Sequence, residues 1–253
     1  MTLVWILLAC VLSTVGSMLV AFWAAHKVPS KVLSLMVAFS AGTMLSAALL
    51  DVLPETLENE GVDPHRLFGV LLISLLGFYF LERSALWRHQ HAGVLPTDNA
   101  AERGLLPASY ALMVGDGVHN FVDGLLIAGA FMADPWLGVT TTAAIFAHEL
   151  PQEIAEFAIY FSSGWSKGKA LRLNLMGGLS SLLGAGVGWT LFEPGPSISY
   201  VLMITVASFT YISLTDLVPY LHKKHAQDGF FRQTALLLLG VAWLPALAMW
   251  MPH

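Results

Sequence analysis

The sequence predicts an all-α membrane protein of eight transmembrane helices, with spans one to three and six to eight as an inverted repeat around spans four and five. Three observations lead there. The 253 residues are 56% hydrophobic and only 11% charged, with mean hydropathy +0.68, whereas a soluble domain carries about 25% charged residues. The apolar residues gather into stretches near the ~20 residues that cross a hydrocarbon core. Eleven of the twelve Lys and Arg fall into alternate loops.

The spans read, in order, 2–25, 32–54, 67–82, 107–131, 138–161, 170–191, 198–220 and 233–251, within a single domain over 1–253. The first is too long and lacks the basic start of a cleaved signal sequence, so it is expected to be a span. The third is short. Connections are brief except for 83–106, polar and expected to be a mobile cytoplasmic loop, which carries His89 and His91. A solvated loop is the first reading of that histidine pair. The net charge of -5 and pI near 5.9, with no basic run, argue against nucleic acid as a partner. The single cysteine, Cys10, cannot form an intrachain disulfide or a zinc-thiolate cluster.

Orientation follows from the basic residues. Lys27 and Lys31, then Arg83, Arg88 and Arg103, then Lys167, Lys169 and Arg172, then Lys223, Lys224 and Arg232 follow the odd-numbered spans, and Arg66 alone falls on the other side. The positive-inside rule makes those loops cytoplasmic and both termini extracytoplasmic. The opposite loops hold Glu55, Glu58, Glu60, Asp63, Asp134 and Glu193, an acidic face that can concentrate cations. The inverted repeat rests on an echo. Span two ends "SAALLDVLPETL" and span seven "YISLTDLVPYLH", each with Asp three residues before Pro, Asp51/Pro54 and Asp216/Pro219. Related segments in opposite orientations are what an inverted repeat produces.

The densest polar residues lie outside that echo. Span four contains "HNFVDGLLIAGAF", with His119 and Asp123 four apart on one helical face and Asn120 beside them. Span five contains "AHELPQEIAEFAIY", pairing His148 with Gln152 and Glu149 with Glu153, and Glu156 follows. Both histidines fall near mid-membrane, where charged groups are costly and mark ion pathways. Imidazole, carboxylate and amide oxygen form a donor set for a borderline divalent metal such as Zn2+. Neither span has a Lys or Arg to neutralise the carboxylates. A helix–helix hydrogen-bond network would need only one satisfied pair. Pro151 removes a helical hydrogen bond, and the carbonyl freed near residue 147 is a further expected donor facing the site. A membrane metalloprotease would need H-E-x-x-H. Here the segment reads H-E-L-P-Q, with Gln152 in the place of the second histidine.

"GDGVHNFVDGL" and "HELPQEIAEFAI" resemble the fourth- and fifth-span signatures of the ZIP (Zrt/Irt-like protein) family of divalent-metal transporters, closest to its branch with HNFxDG and HExPHE-type motifs. "AGTMLSAALLDVLPE" in span two fits as well. The resemblance implies eight spans and a two-metal site between spans four and five. His119, Asp123 and His148 match ligands of its main site, Gln152 a bridging position and Met44 a span-two thioether. Asn120 and Glu149 match the second site, Asp51 the outer entrance, and Glu153, Glu156 and Asp216 an exit path. Two departures stand out. Gln152 replaces the usual Glu or His, and span six, "NLMGGLSSLLGAG", lacks a carboxylate, with Ser181 taking its place. The second site is therefore expected to be weak, auxiliary or absent.

The expected function is zinc uptake into the cytoplasm across the plasma (inner) membrane, without an enzymatic reaction or catalytic cofactor. Zn2+ is the first expectation as substrate, with Cd2+, Fe2+, Mn2+ and Co2+ as alternatives. The partners are divalent metal ions and the lipid bilayer, and a homodimer is the family expectation. The competing readings are a membrane-embedded zinc hydrolase, which turns over without flux, and a metal sensor, which binds without flux.

Overall fold

The structure, a computed structural model, describes the backbone except at residues 26, 59–61, 92–100, 163, 193–197, 220, 223–228 and 249–253. Side chains at 30, 81–91, 101–112, 114, 158–159, 162, 216 and 247–248 also lie outside the described residues. Every regular element among the described residues is helical. We label them α1 (Thr2–Ala24), α2 (Lys31–Glu58), α3 (Pro64–His91), α4 (Ala101–Ala133), α5 (Pro135–Ser162), α6 (Lys167–Gly178), α7 (Ser180–Leu191), α8 (Ile198–Ile212) and α9 (Phe230–Ala248). Among the described residues α1, α2 and the stretch Ile198–Thr215 are long and apolar enough to cross a bilayer, and Pro64–Phe80 and Phe230–Ala246 are shorter apolar helices. Their outer faces carry Leu72, Ile73, Phe231 and Leu238, all exposed, as expected where lipid is the solvent.

Three details depart from the reading of the sequence. The third apolar stretch is short, as expected, at Pro64–Phe80, but its helix continues past that run to His91. Both ends of the expected 83–106 loop are helical, since α4 begins at Ala101. The side chains of His89 and His91, like that of Asp216, lie outside the described residues. The stretch expected as a sixth span is two helices meeting at Leu179. There the Leu182 N–H donates to the Leu179 carbonyl, an i to i+3 bond that tightens the junction.

Proline explains two irregular turns. A proline lacks the N–H that would bond the carbonyl four residues back, and its ring crowds that carbonyl. Ahead of Pro54, α2 widens into a π turn over Ala47–Val52. Ahead of Pro219, α8 continues into a π turn over Ser213–Leu217. The two D-x-x-P segments thus share a local shape as well as a spacing, and each aspartate lies within its widened turn.

Glycine sets the closest helix crossings. A Cβ on Gly42 of α2 would strike the Leu237 carbonyl of α9, and one on Gly240 of α9 would strike that of Phe39. Likewise Gly124 of α4 faces the Ser181 carbonyl and Gly184 of α7 the Phe121 carbonyl. Close backbone approach is the usual use of small residues in membranes. One apolar cluster gathers Ile6, Cys10, Met44, Leu126, Ile145 and Phe209. A second, around Met18, Phe157, Tyr160 and Trp165, lies towards the α5–α6 turn. Between the two cores sit the polar residues of α4 and α5.

Candidate metal centre

The geometry starts from a tight corner. Asp134 caps α5 by accepting from the Leu137 N–H at 2.9 Å, and Pro135 occupies the first helical position, where a missing N–H costs nothing. With one residue between them, α4 and α5 run antiparallel, so residues equally far from Asp134 meet at one height. His119 is 15 residues before it, and His148 and Glu149 are 14 and 15 after it. At 1.5 Å per residue all three sit about 22 Å from the corner. Asp116, 18 before, and Glu153, 19 after, share a second level about 6 Å farther on.

On the first level, His119 Nε2 lies 3.1 Å from His148 Nε2, 3.8 Å from Asp123 Oδ2 and 3.6 Å from Glu149 Oε1. His148 Nε2 lies 3.3 Å from Asp123 Oδ2 and 3.7 Å from Glu149 Oε1. Zinc bonds of about 2.0–2.1 Å in a tetrahedron place neighbouring donors about 3.3–3.4 Å apart. The five separations bracket that edge. The His148 ring is also oriented for ligation. Its Nδ1 is 3.1 Å from the Ala144 carbonyl, which can only accept. Nδ1 therefore carries the proton, and Nε2 keeps a free lone pair. Asp123, His148 and Glu149 are buried, while the His119 side chain retains 22% exposure and is the accessible corner of the set. Both oxygens of Asp123 and of Glu149 lack a hydrogen-bond partner, an arrangement that deeply buried carboxylates avoid unless something else meets them.

The second level joins Asp116, Glu149 and Glu153, whose donor oxygens lie within 4.8 Å of one another. Glu149 is the residue common to both groups. Asn120 donates from Nδ2 to Asp116 Oδ1 at 2.9 Å and to the Asp116 carbonyl at 3.1 Å. Asn174 of α6 donates to Glu153 Oε2 at 2.7 Å. Glu156 differs from the other carboxylates. It accepts from Gln152 Nε2 at 3.3 Å and from the Tyr160 hydroxyl at 3.2 Å, so both its oxygens are met.

His119, Asp123 and His148 come together as expected, and Glu149 completes their group. Gln152 turns to Glu156, and the shared position between the two levels is held by Glu149. Asn120 supports Asp116. Met44 is fully buried in the apolar cluster. Asp51 lies half-buried on the π turn of α2, with Oδ2 sheltered and unpartnered. The carbonyl freed by Pro151 does not face the site, because Ser40 Oγ of α2 donates to the Ala147 carbonyl and fills the vacancy. Ser181 bonds Thr14 and the Gly178 carbonyl. The α6–α7 residue that reaches the carboxylates is Asn174. Asp116 and Asn174 were missed. Asp116 was legible, since Asp116, Asn120 and Asp123 repeat at i, i+4 and i+7 on one helical face. Nothing in the sequence singled out Asn174.

Comparison with known proteins gives a family and several relatives. The family model described as "ZIP Zinc transporter" matches residues 1–104 and 88–248. "Zinc transporter ZIP6" of Homo sapiens is 31% identical over 160 residues, 60% of this chain and 22% of that protein. "Zinc transporter YKE4" of Saccharomyces cerevisiae is 26% identical over 227 residues, 81% of this chain and 65% of that protein. "Zinc transporter ZIP13 homolog" of Drosophila melanogaster is 25% identical over 283 residues, 88% of this chain and 79% of that protein. The chain thus spans about a fifth of the length of some relatives and most of others.

Proposed function

The chain belongs to the ZIP zinc transporter family, and on that premise we propose that it carries a divalent metal, Zn2+ first, across the plasma membrane into the cytoplasm. The observation that carries the proposal is the group His119, Asp123, His148 and Glu149, whose donor separations suit a tetrahedral divalent ion. Members of the family are named as transporters, not enzymes.

The proposed frame is eight spans, α6 and α7 together forming the sixth, with spans one to three and six to eight as inverted repeats. The shared π turns at Asp51 and Asp216 support it. Both termini are extracytoplasmic in this frame, and the α4–α5 corner faces outward. Metal then passes Asp51, exchanges water for His119, Asp123, His148 and Glu149, and leaves by Glu153 and Glu156 towards the basic loops. Met44 is a soft neutral neighbour of this path. Two imidazoles favour Zn2+ or Cd2+ over Mn2+, with Fe2+ and Co2+ between. Release follows because each donor binds only when deprotonated. The protein works in the lipid bilayer as a homodimer in this reading.

The test is zinc flux into proteoliposomes loaded with a fluorescent indicator, comparing the parent chain with His119→Ala. Flux lost in the variant is the expected result. Absence of flux in the parent, beside zinc binding that His119→Ala abolishes, would replace transport with a sensor or hydrolase role.

A further inference from the structure

We propose that the apolar groove walled by α1, α2, α5 and α9 seats an acyl chain of one anionic phospholipid, whose headgroup is held by Lys31 and Arg232. Such a lipid needs only the membrane setting and the orientation proposed above, whichever ion the protein carries.

The groove has a volume of about 900 Å3, and Leu12 of α1, Phe39 of α2, Phe146 and Leu150 of α5 and Trp243 of α9 stand in its walls. Close-packed protein leaves few voids larger than one water, and an apolar hollow does not take up water. The hydroxyls in the wall offer nothing to a polar occupant. Ser40 donates to the Met36 and Ala147 carbonyls, and Thr142 donates to the Gly138 carbonyl at 2.6 Å. Leu8, Leu12 and Val32 line the groove and remain exposed. It is therefore open along its side, and in a bilayer hydrocarbon lies there.

Its length suits a lipid chain. Val32 and Ser40 are eight residues apart on α2, about 12 Å, and Ser40 meets α5 at Ala147. One leaflet is half of a ~30 Å hydrocarbon core, about 15 Å. A chain entering beside Val32 thus ends near the Ser40–Ala147 contact, next in sequence to His148. The groove continues along α5 to Val139, within the opposite leaflet.

Charge selects the headgroup. Leu236 and Leu237 of α9 gather with Val37 and Ala38 of α2, and Leu244 with Met44 and Ala47, so the two helices run side by side in one direction. Leu35 and Leu236 both line the groove. Each has a cation one helical turn earlier on the same face, Lys31 and Arg232. Both cations are exposed, and neither has an ion-pair partner among the described residues. Lys27, by contrast, already stands over the Trp23 ring at 3.9 Å. Basic residues at the cytoplasmic end of a crevice between membrane helices recognise anionic headgroups.

Dioleoyl phosphatidylglycerol is the probe, and phosphatidylcholine with the same chains is the comparison. The full chain, purified in detergent and stripped of lipid and metal, is titrated with each, and bound lipid is counted by native mass spectrometry. One phosphatidylglycerol per chain is expected at concentrations that leave phosphatidylcholine unbound. Lys31→Gln combined with Arg232→Gln should weaken phosphatidylglycerol about 30-fold, a factor of about five per cation. It should leave phosphatidylcholine unchanged, a selective loss that misfolding cannot imitate. Val32→Phe combined with Leu236→Phe narrows the groove and should also displace the lipid, whereas Arg172→Gln, which removes a cation of α6, should not. Equal binding of the two lipids, a paired Gln variant as tight as the parent, or an undiminished count in the narrowed groove overturns the site. So does equal loss in Arg172→Gln, or a dimer that binds no phospholipid and so gives the groove to a second copy. Because lipid is counted without zinc, absent flux would sink the proposed transport and leave this site standing. Flux with no lipid preference would do the reverse.

Discussion

Replacing His148 with alanine removes one of four donors from the histidine level while leaving the other three on their helices. Tetrahedral zinc sites contribute about 10–16 kcal/mol in all, so an equal share is about 2.5–4 kcal/mol per ligand. By the factor of ten per 1.4 kcal/mol, zinc affinity should fall about 60–700-fold. His148 should sit at the upper end of that range. Its ring is already oriented by the bond from Nδ1 to the Ala144 carbonyl, and it is 1% exposed, so water cannot readily reach its place. Isothermal titration of Zn2+ into the detergent-purified chain measures the change, and circular dichroism checks that the helices persist. A folded His148→Ala protein whose zinc affinity lies within about fivefold of the parent, under 1 kcal/mol, would refute the reasoning. The ring would then be a packing residue and not a ligand.

Other outcomes follow from the same structure. Zinc affinity should fall as pH is lowered through the range in which imidazoles take up protons, read by the same titration, and a flat profile would exclude the histidines as ligands. Ser40→Ala should destabilise the protein by about 1–3 kcal/mol by stranding the Ala147 carbonyl. In a Pro151→Ala background, where residue 151 can donate to that carbonyl, most of this loss should vanish, and thermal melts of the four combinations measure it. Gly124→Ala or Gly184→Ala should lower the melting temperature sharply by pressing a Cβ onto the facing backbone. Gly186→Ala, with open space around it, should shift stability by no more than about 0.5 kcal/mol.

Much of the site could be read from one dimension. Within a helix, i to i+4 spacing fixes which residues share a face, so the sequence alone pairs His119 with Asp123 and Glu149 with Glu153. The single residue between α4 and α5 also fixes the height at which the two helices compare, and counting from Asp134 places His119 opposite His148 and Asp116 opposite Glu153. The aspartates of the D-x-x-P segments were visible too, but the π turns around them were not, because widening depends on how the helix relieves its proline.

Composition and spacing alone determined that the chain is helical and apolar, and that its densest polar residues fall on the helices α4 and α5. Only the tertiary structure decided which atoms meet. Helical spacing says nothing of how far each helix is rotated about its own axis, and that rotation comes from glycine-mediated crossings such as Gly124 against Ser181 and Gly184 against Phe121. It placed Glu149 between the two levels. It also brought Asn174 from a separate helix to Glu153, and set Ser40 under the carbonyl that Pro151 had freed. Contacts between helices depend on the relative phase of two cylinders, and no periodicity within either one contains it.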